Sequence, residues 1–199
     1  MELFPTWHLG GLLAMEPGPG ERALLDRTFE QLVASAAEQP QVFVHRDYHS
    51  RNLMLLDDGS LGVIDFQDAV VGPITYDLVS LLRDCYVAWP AQRVSDWASG
   101  YAALAAQAGL MAPVPAERFM RWFDWMGLQR HIKVLGIFAR LWLRDGKRSY
   151  LSDLPLVIRY TLEVSELHPE LAEFAGWFRD RVLPAAQRQE WYRAADPLR

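Results

Sequence analysis

The sequence predicts an α+β chain, mostly α-helical, with a small β-hairpin carrying polar loops. Three observations lead there. After Gly72-Pro73, apolar residues recur at helical spacing almost to the end of the chain. Between Val42 and Phe66, two short apolar runs flank Asp58-Gly59, a strong hairpin signal because glycine tolerates the positive φ of tight turns. With 51% hydrophobic and 23% charged residues among 199, the chain has ample material for a packed core, and disorder is excluded as its main state.

The elements follow in order. Residues 1–20 are rich in Gly and Pro and read as irregular. Residues 21–38 place Leu24, Leu25, Thr28, Phe29, Leu32 and Val33 on one helical face, with Pro40 following. VFVH at 42–45 is a short β-type run that leads into the polar stretch RDYHSRN. Leu53–Leu56 and LGVIDF at 61–66 form the hairpin strands. Thr75 is placed to cap a helix bearing Leu78, Leu81, Leu82 and Cys85. Residues 91–109 make another helix. Residues 116–144 are apolar almost all round, as one or two buried central helices should be, and Asp145-Gly146 breaks them. Two further helices are expected at 153–167 and 169–183, split by His168-Pro169.

The chemistry concentrates at 45–77. His45-Arg46-Asp47 followed by Asn52 reads H-R-D-x-x-x-x-N, and Asp65-Phe66 stands 13 residues beyond Asn52. This matches the catalytic-loop pattern of protein-kinase-like enzymes. An Asp just after a strand can accept the proton of an attacking hydroxyl. An Asn on the same loop can turn its amide oxygen to Mg²⁺, and the hairpin returns Asp65 to the same point. Hard oxygen ligands on two loop segments suit Mg²⁺. Two other readings stand beside this one. Asp47, Asn52 and Asp65 could each merely cap a turn. His45, Asp47 and His49 alternate and could ligate a hydrolytic metal with Asp65, which leaves Asn52 without a role. His45 itself reads as a buried histidine supporting the loop.

The stretch VFVHRDYHSRNLMLLDDGSLGVIDFQDAVVGPITYDLVSLLRD resembles the catalytic core of the aminoglycoside phosphotransferase family. These are small-molecule kinases with a protein-kinase-like fold. Asp65-Phe66-Gln67-Asp68 lacks the glycine of the protein-kinase D-F-G pattern, which favours the small-molecule branch. The texture of 65–84 and of 127–141 is similar to the anomeric amino-sugar kinases of bacterial cell-wall recycling. The resemblance implies a C-terminal kinase lobe over 41–199, preceded by an irregular segment and lead-in helix over 1–40. It implies ATP and Mg²⁺ as cofactors and the C1 hydroxyl of N-acetylmuramate or N-acetylglucosamine as acceptor. It makes Asp47 the catalytic base and Asn52 and Asp65 the metal ligands. Asp77 of Tyr76-Asp77-Leu78 then braces the catalytic loop. Asp68, Arg83, Arg130 and His131 become candidate substrate contacts, although a turn, surface or helix-dipole role serves each of them. Trp89, Trp122, Trp125 and Trp142 could stack on a sugar or simply fill the core. Aminoglycosides or other alcohols are the alternative acceptors, and a non-catalytic binding remnant is the alternative of another class.

Composition trims the remaining possibilities. A net charge of −5 speaks against nonspecific nucleic-acid binding. The lone Cys85, the lack of zinc-ligand spacing and the lack of a long apolar run point to a cytoplasmic protein without a membrane span. No Lys precedes Lys133 and no glycine-rich phosphate loop is present, so the ATP-gripping N-terminal lobe is expected to be absent from this chain. Weak activity in isolation is expected, and self-association through the exposed cleft face is plausible.

Overall fold

The computed structural model describes residues 1–193. They are mostly helical, with two small antiparallel strand pairs, in agreement with the expected class. The chain divides into two compact units: Ala34–Gly127, and Met1–Val33 together with the chain from Leu128 on.

The Ala34–Gly127 unit holds all four strands. Strand β1 (Gln41–Val44) pairs with β4 (Val70–Pro73), with Val44 opposite Val70. Strand β2 (Leu53–Leu55) pairs with β3 (Leu61–Val63), with Leu53 opposite Val63. Gly59 turns this hairpin at φ +81°, as its sequence requires. Strand β4 has no counterpart in the sequence reading, because Gly72 and Pro73 look like a break. Its four residues cannot be told from a turn by pattern, and Pro73 is tolerated at the end of a strand with one neighbour.

Helix α2 (Tyr76–Leu82) follows β4 directly. Two expectations for it need correcting. Thr75 stands at its N-cap but does not cap it: the buried Thr75 hydroxyl donates instead to Gln39 Oε1 at 2.7 Å. Cys85 lies beyond the helix, because Arg83 leaves helical geometry at φ −120°, ψ 48°. Helix α3 (Ala91–Gln107) and the first half of α4 (Ala116–Leu143) complete this unit. Its core is formed by Ile74, Val79, Leu82, Val94, Ala98, Phe119, Trp122, Phe123 and Met126.

In the other unit, helix α1 (Pro19–Ala37) starts with the Gly18 N–H donating to Glu21 Oε2 at 2.8 Å. That bond and the Trp177 indole hold Glu21 below the usual carboxylate range. The opening residues are not all irregular. Phe4–Leu12 forms a π-helical segment, with Phe4, His8 and Leu9 buried. Tertiary packing overrides the local Gly and Pro signals here. The segment lies so close to α4 that a Cβ on Gly136 would stand 2.5 Å from the Leu3 carbonyl carbon. Burial lowers the pKa of His8 to about 3, outweighing the Leu135 backbone, which acts in the other direction.

Downstream, α4 is one helix through Leu143. A 3₁₀ segment (Arg148–Asp153) leads into α5 (Leu154–Leu167). The expected single helix at 169–183 is instead a series of short pieces. A 3₁₀ turn (Pro169–Leu171) precedes α6 (Ala172–Trp177), and a π segment (Phe178–Val182) leads into α7 (Leu183–Gln187). Pro184 explains the change of pitch. It has no N–H for the α-helical ladder, and the turn before it widens so that Leu183 N–H bonds to Phe178 O. A short α8 (Glu190–Arg193) ends the described residues. No described helix is long and apolar enough to cross a membrane.

Candidate active site

The polar loop at 45–52 leaves β1 and is held on both sides. Asp77, in the first turn of α2, receives two backbone N–H groups on its carboxylate. His45 N–H donates to Oδ2 at 2.6 Å and Arg46 N–H to Oδ1 at 3.0 Å. A negative charge also suits the first turn of a helix. The two donors can reach one carboxylate because Arg46 adopts φ +77°, the left-handed region that ordinary residues avoid. Side chains tie the loop further. His45 is buried and its Nε2 lies 2.9 Å from Ile64 O, which fixes the end of β1 against the residue before Asp65. Arg46 Nη1 donates to Asp68 O at 3.2 Å.

Asn52 closes the other end. Its Nδ2 donates to Asp47 O at 2.9 Å and lies 3.5 Å from Asp65 Oδ2. With the amide nitrogen committed in this way, Oδ1 is the atom left as an acceptor. Asp65 sits two residues past β3 at φ +68°, a second left-handed non-glycine position, and Gln67 Nε2 donates to its Oδ1 at 2.7 Å. The Ile64 N–H to Asn52 O bond extends the β2–β3 pairing up to these two residues. The hairpin thus brings Asn52 up to Asp65, and the Asn52 amide meets the Asp47 carbonyl.

The rival hydrolytic set does not assemble. Among the described residues no three of His, Cys, Asp and Glu come together to hold a metal ion. His45 faces Ile64 O and His49 packs edge-on against Tyr86 at 5.6 Å. The oxygen donors of Asn52 and Asp65 do fit a hard divalent cation such as Mg²⁺.

The remaining candidates fall in different places. Asp68 is exposed, and its carbonyl is the group that meets Arg46. Arg83 Nη2 pairs with Asp124 Oδ1 at 2.7 Å, both side chains being nearly buried, and the guanidinium lies over the Phe123 ring. Arg130 and His131 are on α4 in the other compact unit, where buried His131 stacks on Tyr160 at 5.1 Å. Trp122 and Trp125 are core residues, Trp142 is half-buried, and exposed Trp89 packs edge-on against Trp97.

Sequence reasoning missed Asp84, Ser50 and Tyr86. Buried Asp84 accepts the Ser50 hydroxyl at 2.6 Å and the Ser50 N–H at 3.2 Å. The Tyr86 ring carries the Arg51 guanidinium at 3.4 Å from its centroid. The sequence hides Asp84 because the apolar spacing carries the helix on to Cys85, whereas the helix ends at Leu82.

A family model described as the phosphotransferase enzyme family, APH, matches residues 2–123. This chain belongs to that family. An N-acetylmuramate/N-acetylglucosamine kinase of Neisseria meningitidis serogroup B is 47% identical over 86% of the chain and 51% of its own length. A protein of the same description from Pseudomonas aeruginosa is 48% identical over 87% of the chain and 51% of its own length. One from Caulobacter vibrioides is 39% identical over 74% of the chain and 40% of its own length. The chain spans about half the length of these curated relatives. The match covers His45, Asp47, Asn52, Asp65 and Asp77.

Proposed function

We propose that this chain carries the catalytic machinery of an ATP- and Mg²⁺-dependent phosphotransferase. Its acceptor is the anomeric hydroxyl of N-acetylmuramate or N-acetylglucosamine, in cytoplasmic recycling of peptidoglycan. The observation that carries the reading is the approach of Asn52 to Asp65 and to the Asp47 carbonyl, with Arg46 and Asp65 both held at left-handed φ. Backbone strain of this kind is kept where surroundings over-determine it, and it clusters at functional sites. The names of the relatives support the choice of sugar.

Each residue has a role in the proposal. Asp47 is half-buried, and among the described residues none donates to its carboxylate. It accepts the proton of the attacking sugar hydroxyl as that oxygen bonds to the γ-phosphorus of ATP and the phosphorus–oxygen bond to the leaving ADP breaks. Asn52 Oδ1 and the Asp65 carboxylate would hold Mg²⁺, which when bound offsets the charge of the phosphate oxygens. His45 and Asp77 keep the loop in register. Asp68 is our candidate for a sugar hydroxyl. Arg83, Arg130 and His131 are our candidates for the lactyl carboxylate, Arg83 being paired with Asp124.

Domain assignment follows the same reading, with 41–199 as the catalytic and substrate-binding lobe and 1–40 as its lead-in. The exposed side chains of Phe43, Leu55, Leu61 and Val71 support docking of a phosphate-gripping lobe against the strands. The 199 residues assayed alone should therefore turn over ATP weakly.

ADP release from MgATP tests the proposal, with N-acetylmuramate, N-acetylglucosamine and a kanamycin-type sugar supplied in turn beside an Asp47→Asn variant. Turnover with an amino sugar that the variant loses is the expected result. Sugar-independent turnover, or turnover unchanged in Asp47→Asn, would overturn it.

A further inference from the structure

Asp77 holds the start of the catalytic loop, and a second carboxylate just past the end of the same short helix holds its end. Asp84 lies two residues past α2 and is 4% exposed. Its Oδ2 takes both the Ser50 hydroxyl, at 2.6 Å, and the Ser50 N–H, at 3.2 Å. Its Oδ1 takes the Tyr86 N–H at 3.2 Å, so the carboxylate is itself aimed by the chain that follows it. Ser50 opens the 3₁₀ turn Ser50–Asn52, whose last residue points its amide at Asp47 O and Asp65 Oδ2. Tyr86 adds a second contact to the same turn through the Arg51 guanidinium and the His49 ring.

We infer that Asp84 is a positioning residue: through Ser50 it sets where Asn52 stands opposite Asp65, and so sets the cation site. The physical case rests on what the carboxylate is given. A buried anion away from a cation is costly unless donors surround it. Asp84 receives two donors from Ser50 of the catalytic turn and one from its own flank, so undocking Ser50 strips Oδ2 of both. Asp77 and Asp84 are seven residues apart, at the first turn of α2 and just beyond its end. The helix thereby fixes two points of the loop, one on each side of Asp47. This inference rests on the assignment of Asn52 and Asp65 as cation ligands.

Three variants of the 199-residue chain test it: Asp84→Asn, Ser50→Ala and Asp84→Ala. Two readouts are used, amide hydrogen exchange at 50–52 and broadening of the Asn52 and Asp65 resonances by titrated Mn²⁺. Asp84→Asn keeps the shape and should raise exchange at Ser50 about tenfold or more, as expected for losing a hydrogen bond to a charged group. Exchange of the α4 core should be unchanged. The Mn²⁺ midpoint should rise about tenfold in Asp84→Asn and by less in Ser50→Ala, which keeps the N–H bond. Fast exchange at 50–52 with an unmoved Mn²⁺ midpoint would overturn the positioning role and leave Asp84 a structural residue. Unchanged exchange would overturn the docking itself. A wild-type chain that gives no Mn²⁺ broadening at Asn52 and Asp65 would remove the cation assignment and this inference with it. Broadening without ATP turnover would count only against the proposed phosphotransfer.

Discussion

Replacing Asp77 by alanine removes the acceptor of two backbone N–H groups at once. Both bonds run to a charged oxygen, at 2.6 and 3.0 Å. A hydrogen bond to a charged group contributes about 1.5–3 kcal/mol, so the pair contributes about 3–6 kcal/mol to the docked loop. Against this stands the left-handed Arg46, whose conformation costs about 1–3 kcal/mol and relaxes when the loop lets go. Asp77 is also half-buried, so water recovers part of the loss. The net expectation is about 2–3 kcal/mol against the docked arrangement, or about a 30- to 150-fold shift in its opening equilibrium. Asp77→Asn keeps one acceptor oxygen and should fall between wild type and alanine.

The assay is amide hydrogen exchange at His45 and Arg46, with urea unfolding followed in parallel. The loop can open without unfolding the rest, so exchange at 45–46 should quicken far more than the urea midpoint falls. Exchange within about threefold of wild type in Asp77→Ala would refute the reasoning, because the bonds would then hold nothing. A large midpoint drop with unchanged loop exchange would also refute it, by placing the energy outside the loop.

Three further outcomes are expected. His8 has its folded pKa lowered to about 3 from 6.5, so its unfolded form binds the extra proton and the stability it contributes is full above pH 6.5 and lost as pH falls toward 3. Urea unfolding of wild type against His8→Leu should show a difference that changes by about 1.4 kcal/mol per pH unit between pH 6 and 4, and a flat difference would count against a buried neutral histidine. Gly136→Ala should displace the Phe4–Leu12 segment and destabilise by about 1–3 kcal/mol, with the His8 NMR titration moving toward its ordinary range; an unmoved titration would contradict the close approach. Arg83→Ala leaves the buried Asp124 carboxylate without its 2.7 Å partner and should cost about 3–5 kcal/mol by urea unfolding, whereas Arg83→Met with Asp124→Leu should recover most of it; equal losses would exclude a buried-charge penalty.

The parts legible in the sequence are those set by local pattern. The 28-residue run of α4, the Asp58-Gly59 hairpin and the H-R-D-x-x-x-x-N spacing all lie within one element or one loop. The misses share a different cause. Strand β4 exists because β1 lies beside it, and the helical opening segment exists because Gly136 admits it. Thr75 and Gln39 are 36 residues apart and find each other only in the folded unit. No window of sequence holds both partners of these contacts.

The loop at 45–52 shows the same cause at closer range. A loop that reverses at Arg46 and brings Asn52 up to Asp65 cannot satisfy its own backbone with regular pairing. It spends two left-handed residues, Arg46 and Asp65, on the geometry. The N–H groups that such a path leaves over must go to side chains from elsewhere. Carboxylates suit the task, since one can take two N–H groups, as Asp77 does, or a hydroxyl and an N–H on one oxygen, as Asp84 does. Asp77 is legible because the family resemblance marks it. Asp84 is not, because the apolar spacing carries the helix on to Cys85 and places Asp84 within it, whereas the helix ends at Leu82 and frees Asp84 to meet Ser50. It appears only when the backbone donors of the loop are followed one by one to their acceptors.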